Sequence, residues 1–395
     1  MKNRLVYLPF FVYSISFLSI LVLYQFGWSD LYPRLNGFVL SFILISSFIS
    51  FLFAFLQAKK LRLNLVPLEL NSSFIKKSIW FLAIGYLLDF AYERTIPLLR
   101  TLSDPSYSYD NFKGLPTFHV ILGTFNIFFS ILMFDNYLSN KSRKKLILFL
   151  GSLVPYVLVM NRGAFMIVFS AMIFLYLMRI PKINYKSVVR SILILVSILY
   201  LFGLVGNIRQ PQTKAEKEYL LRVGGASDRF INSGIPSEFY WSYMYLISPL
   251  GNFQNMVDKK ADDFDTENTG LFVTTQLFPD FISKRLISIF NYDDIVYRAP
   301  WFDYLVSPLF NAPTTYFVSY FLMGSFGVLI MFIAIILSNF IYPLMFRKNS
   351  RYRLTAIASL NAIILLSTFN NMWFATGTIL FWPLILGFVE RTNFK

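Results

Sequence analysis

Apolar residues fall in ten blocks, at 5–26, 37–58, 78–98, 117–138, 146–160, 164–178, 191–206, 314–342, 354–370 and 374–390. Each is long enough, or nearly so, to cross a hydrocarbon core of about 30 Å as a helix. Polar residues are confined to the gaps, so the pattern predicts an all-α polytopic membrane protein with about ten transmembrane helices. The first block, about 22 residues long, exceeds a signal-peptide core and has no small-residue cleavage site after it. One gap is far larger than the others. Residues 207–313 contain repeated turn signals (Gly224-Gly225, Gly234, Pro236, Pro249, Pro279, Pro300) yet are rich in Trp, Tyr and Phe. That composition predicts a folded loop region rather than a disordered one. The chain thus divides into 1–206 with seven spans, 207–313 as the large loop with short helices, and 314–395 with three spans. No internal repeat or inverted symmetry is visible.

Charge assigns the two sides. Of the 36 Lys and Arg, 21 fall in alternate gaps, among them Lys59, Lys60, Lys76, Lys77, Lys141, Arg143–Lys145, Arg179 and Arg347–Arg353. Only three acids, Glu69, Asp135 and Glu390, lie nearby. The remaining gaps hold 15 basic and 18 acidic residues. By the positive-inside rule the first set is cytoplasmic, which puts both termini inside and 207–313 outside. The net charge of +15 is therefore a topology signal and does not point to nucleic acid. The chain has no Cys and one His, which excludes disulfides, thiolate nucleophiles and histidine-cluster metal sites.

Blocks five and six form a hairpin joined by Asn161-Arg162-Gly163. Arms of 15 residues rise only about 22 Å, so Arg162 is expected to sit recessed below the outer surface. A recessed arginine is costly unless paired or wetted, and its alternative is snorkelling to the headgroups. Arg209 lies just beyond the seventh block, and Arg222, Arg229 and Arg298 follow in the loop. A guanidinium fork suits phosphate or diphosphate; taken singly, the loop arginines also read as surface charges. Asp89, Glu93 and Arg94 are expected to form an ion pair that locks helices. His119 reads as a structural residue or as a base. The run Asp262–Glu267 lacks the spacing of a calcium loop and reads as a solvated face. The segment Glu238–Pro249 is aromatic but too short to span; it reads as a helix packed on the bundle or as a sugar-stacking wall with Tyr240 and Trp241.

These features resemble the O-antigen polymerase family of repeat-unit polymerases, related to the O-antigen ligases. Asn161-Arg162-Gly163-Ala164 is similar to that superfamily's Ser-Arg-Gly turn, and Arg209 to an arginine entering its large periplasmic loop. Asn311-Ala312-Pro313-Thr314-Thr315, with Gly324 and Gly327, resembles the segment leading from that loop into the next helix. The ligases' His-Asn pair is absent there. So is an Arg-x10-Gly pattern: Leu220 and Ser233 stand where Arg209 and Arg222 would need glycines.

The resemblance implies a GT-C-like fold in the bacterial inner membrane, with a periplasmic site and no cofactor or metal. It implies joining of undecaprenyl-diphosphate-linked oligosaccharides, with inversion at the anomeric carbon, and a polysaccharide chain-length regulator as partner. Arg162 and Arg209 would clamp the diphosphate, with Glu238, Asp303 and His119 as candidates for the base. Arg222, Arg229, Arg298, Trp241, Tyr240, Asn311 and Thr314 would contact substrate. A ligase, a lipid-linked oligosaccharide flippase and a glycan O-acyltransferase are the alternatives. The large loop and the missing repeat count against the flippase, and the scarcity of histidine against the acyltransferase.

Overall fold

The computed structural model describes residues 5–60, 65–104, 107, 111–180, 185, 189, 193, 200 and 219–392. Among them every regular element is helical; strand pairing is limited to one bridge between Ser29 and Ala226. The helices of eight or more residues are α1 (Pro9–Tyr24), α2 (Gly37–Lys60), α3 (Ser72–Glu93), α4 (Phe118–Asn140), α5 (Arg143–Val159), α6 (Arg162–Arg179), α7 (Glu238–Lys259), α8 (Asp280–Ile289), α9 (Phe317–Leu344), α10 (Arg353–Leu366) and α11 (Phe381–Thr392). Among the described residues five stretches are long and apolar enough to cross a membrane: α2, α4, α6, α9, and Met372–Glu390 taken as one run; α1 and α10 are apolar but shorter.

The arrangement of side chains on α2 explains why such helices belong in lipid. Val39, Ile43, Ser46, Ser50, Ala54 and Gln57 recur every three or four residues and are buried. Leu44, Ile45, Phe48, Leu52, Phe55 and Leu56 on the other faces are exposed. From Ser46 onward, small and polar residues face the protein and large apolar ones face outward. A water-soluble helix would do the reverse, whereas membrane helices bring backbones together over small residues. On α3, Ser78, Gly85 and Asp89 are buried while Trp80, Ile84, Leu87 and Leu88 are exposed. A Cβ at Gly85 would collide with Leu122 of α4, so the glycine sets the approach of these two helices.

Helix α10 occupies the centre. All but one of its residues are buried, and it packs against α6, α1, α4 and α9. The hydroxyls of Tyr13 and Tyr316 lie 2.5 Å apart, and Tyr13 also donates to Ser46 at 3.2 Å, so α1, α2 and the start of α9 meet at one buried polar contact.

Residues assigned to one side by charge gather at one end of the bundle. The Arg179 guanidinium donates to Asp135 at 2.5 Å, and Thr355 donates to the other Asp135 oxygen at 2.9 Å. Glu390 accepts from Arg351 at 3.0 Å and from Ser350 at 2.6 Å. At the opposite end, Asp30 N–H donates to Gly225 at 2.7 Å, Asn36 N–H to the Gln254 side chain at 2.9 Å, and Arg285 to Thr117 at 3.2 Å. Two of the sparse acids of the basic set are thus neutralised by basic partners from the same set.

Several boundaries differ from the sequence expectation, each for a local reason. The expected span 78–98 is α3, starting at Ser72 because the Asn71 side chain caps Ser73 N–H, and stopping where Arg94 turns left-handed at φ 53°. The hairpin arms have 17 and 18 residues, since the helices continue through their basic ends. The span 314–342 breaks at Met323 and Gly324, where φ is +59° at the glycine. The last span is broken into Met372–Thr376, a 3-10 turn Gly377–Leu380, and α11. The expected span 191–206, apart from Leu193 and Tyr200, and Arg209 lie outside the described residues.

Candidate functional site

A cavity of about 800 Å³ opens at the end opposite the basic residues. Three segments build it, together with Val318 of α9. The first is the π-turn Val273–Leu277, contributing Thr275 and Gln276. The second is the stretch 296–313, held by 3-10 turns at Pro300–Tyr304 and Pro308–Phe310, and the third is the turn 369–374 between α10 and Met372–Thr376. Prolines 300 and 308 start those turns because their fixed φ suits a first helical position while they need no N–H partner.

The lining mixes ring faces from Trp301, Phe302 and Phe374 with the amides of Gln276, Asn311, Asn370 and Asn371. Among the described residues no charged side chain lines it. Asn371 is buried and fixed: its side-chain NH₂ donates to the Gln276 carbonyl at 2.9 Å, while its oxygen caps Phe374 N–H at 3.3 Å. Asn311 and Asn370 are exposed to the cavity. Flat apolar faces beside paired donors and acceptors suit a sugar, whose C–H faces stack on rings and whose hydroxyls need both partners.

Of the residues singled out by sequence, Asn311 lines this cavity. Asp303 and Arg298 flank it along the chain; both are exposed, and Arg298 donates to its own helix at the Asp294 carbonyl, 3.3 Å away. Thr314 is buried, and its hydroxyl accepts from Tyr316 N–H at 3.3 Å. Arg162 does not line the cavity. It is exposed at the first position of α6, where the Asn161 side chain caps Ala164 N–H at 3.0 Å. Arg222 and Arg229 are exposed, the latter with its guanidinium over Gly27. Glu238 occupies the first turn of α7, half-buried.

Tyr240 and Trp241 are interior residues. Tyr240 packs on Phe230 at 4.7 Å between ring centroids and donates to the Gly224 carbonyl at 2.8 Å. Trp241 lies against Tyr245 and Phe310. The helix Glu238–Lys259 therefore matches the packed-helix alternative, and these rings have no free face to offer a sugar. In the same cluster burial pushes the Tyr243 hydroxyl up to about 12, opposed by a hydrogen bond from Trp28 N–H.

His119 is held by Asp89, not left free. Its Nδ1 lies 2.6 Å from Asp89 Oδ2, and Leu115 N–H donates to the other oxygen at 2.9 Å. The His119 side chain is 25% exposed and Asp89 is fully buried. Asp89 thus pairs with His119 rather than with Arg94, while Glu93 accepts from Lys113 N–H at 3.2 Å. The acidic run is not simply a solvated face. Asp262 accepts from Ser325 N–H at 2.6 Å, capping the restarted half of α9.

Sequence reasoning missed Trp301, Gln276, Asn370 and Asn371 as a group. The visible signal was the Asn370-Asn371 pair interrupting two apolar blocks; nothing in the chain order joined it to Gln276, 95 positions away. Comparison of the chain with family models, with curated proteins and with solved structures gives no match.

Proposed function

We propose that this chain is a repeat-unit polymerase of the O-antigen polymerase type. It would act on polyprenyl-diphosphate-linked oligosaccharides at the outer face of a bacterial inner membrane, with both termini cytoplasmic. The observation that carries the reading is the amide- and ring-lined cavity, at the end away from the basic residues, built in part from the 311–313 segment on which the resemblance rests. Its uncharged lining favours neutral or N-acetylated sugars over acidic ones. In the reaction a hydroxyl oxygen of the incoming unit attacks the anomeric carbon of the growing chain. The bond from that carbon to the diphosphate oxygen breaks, polyprenyl diphosphate leaves with the electron pair, and a base takes the hydroxyl proton. Exposed arginines such as Arg162 would offset the charge that develops on the leaving group.

The test is a surface-polysaccharide ladder from a strain deleted for the gene, complemented with wild type, Asn311→Ala, Asn370→Ala or Arg162→Ala at matched expression. Polymerase activity predicts loss of the ladder in the deletion, with one repeat unit still on lipid A–core, and weakened ladders from the variants. Full-length polymer stranded on its lipid carrier would make the chain a ligase. Absence of any repeat unit at the outer face would make it a flippase.

A further inference from the structure

A second cavity, larger than the first, lies at the other end of the molecule, where the proposed reaction has no use for it. It encloses about 1330 Å³ between the segment 66–69, the residues linking α9 to α10, and α11. One wall is apolar and open: Met345, Ile385, Phe388 and Val389 line it, with Phe388 66% and Ile385 52% exposed. Phe346, buried, supports this wall by packing where Gly387 leaves no Cβ.

The rim carries charge of one net sign. Arg347, Lys348 and Arg351 line the cavity together with Glu69 and Glu390. Glu390 is taken by Arg351 and Ser350, and the second arm of Arg351 reaches the Glu69 carbonyl at 3.5 Å. Glu69 is exposed. Arg347 and Lys348 are exposed side by side, and neither side chain meets an acid within ion-pair distance among the described residues. Two adjacent cations above an open apolar wall, on a membrane protein, match the two halves of an anionic lipid: phosphate at the rim, acyl chains along the wall. Basic pockets at helix ends on the cytoplasmic side bind anionic headgroups on this principle.

We infer that this groove is a binding site for an anionic glycerophospholipid, with Arg347 and Lys348 on the phosphate and the 385–389 face of α11 along an acyl chain. A zwitterionic lipid carries a compensating ammonium, which the cationic rim repels. A soluble phosphate gains nothing from the apolar wall.

The experiment is thermal unfolding of the full-length protein in neutral detergent micelles doped with phosphatidylglycerol or with phosphatidylcholine, and with soluble glycerol phosphate as a third arm. A ligand at about 100 times its dissociation constant should raise the midpoint by roughly 3 °C for a chain of this size. The rise is expected with phosphatidylglycerol alone. It should disappear in Arg347→Gln/Lys348→Gln and persist in Arg143→Gln/Lys144→Gln, which removes equal charge at the same end outside the groove. Both double variants should unfold like wild type with phosphatidylcholine, because all four side chains are exposed. Persistence of the rise in Arg347→Gln/Lys348→Gln, or its loss in both variants, would reduce the effect to general charge attraction and overturn the site. Equal stabilisation by glycerol phosphate, or none by phosphatidylglycerol, would overturn it as well.

Discussion

The side-chain amide of Asn371 donates to the backbone carbonyl of Gln276 at 2.9 Å. This bond joins the turn between two apolar helices to a π-turn in the large loop. It closes one side of the cavity, and it is buried, so the groups it pairs would be unsatisfied without it.

Asn371→Ala should therefore lower stability by about 1–3 kcal/mol, and Asn371→Asp should also destabilise because a carboxylate cannot donate to a carbonyl. Thermal unfolding in detergent would show both, and Asn370→Ala, which loses only the bond from Asn371 N–H to the exposed Asn370 side chain at 2.7 Å, should lower the midpoint less.

Arg162→Ala is expected to cost no more than about 1 kcal/mol, the usual ceiling for the interactions of an exposed charged side chain. The capping of Ala164 comes from Asn161 and survives the change. A normal melting curve together with a lost polysaccharide ladder would tie Arg162 to the reaction; a lowered midpoint would show a structural role instead.

Asp135 is fully buried and answers the only partly exposed Arg179. Removing one partner of a buried pair costs about 3–5 kcal/mol, so Arg179→Ala should cut the yield of folded protein sharply. Asp135→Asn with Arg179→Gln should recover part of it, since no uncompensated charge then remains inside.

Gly324 has φ +59°, and a Cβ there would strike Asp262. Gly324→Ala meets both the left-handed penalty of roughly 1–2 kcal/mol and that collision. Gly234 has φ +69° with open space around it, so Gly234→Ala meets the backbone penalty alone and should lower the midpoint less. Asp262→Ala should cost about 1 kcal/mol as a lost helix cap.

The chain's lack of cysteine makes a topology test clean. Asn161→Cys should react with a membrane-impermeant thiol reagent applied to spheroplasts, and Lys348→Cys only after the membrane is opened. The reverse pattern would move the proposed polymerase site to the cytoplasm and overturn it.

Block length and the exclusion of charge from the blocks are local properties, so the order of residues alone marks the chain as helical and membrane-embedded. The alternation of the gaps likewise groups residues by end: Asp135 with Arg179 and Arg351 with Glu390 fall in one charge set before any contact is known. What those residues touch is set by packing between distant segments. Tyr240 and Trp241 belong to a packed interior rather than an open wall because Phe230, Tyr245 and Phe310 close over them. His119 found Asp89 from the neighbouring helix, and Asp262 left its acidic run to cap a helix broken 62 residues later. Periodicity records which face of a helix is turned inward, but not which distant segment meets it. The cavity depends on that meeting, since Gln276, Trp301 and Asn371 are brought together by the packing of three segments and by no pattern within any one of them.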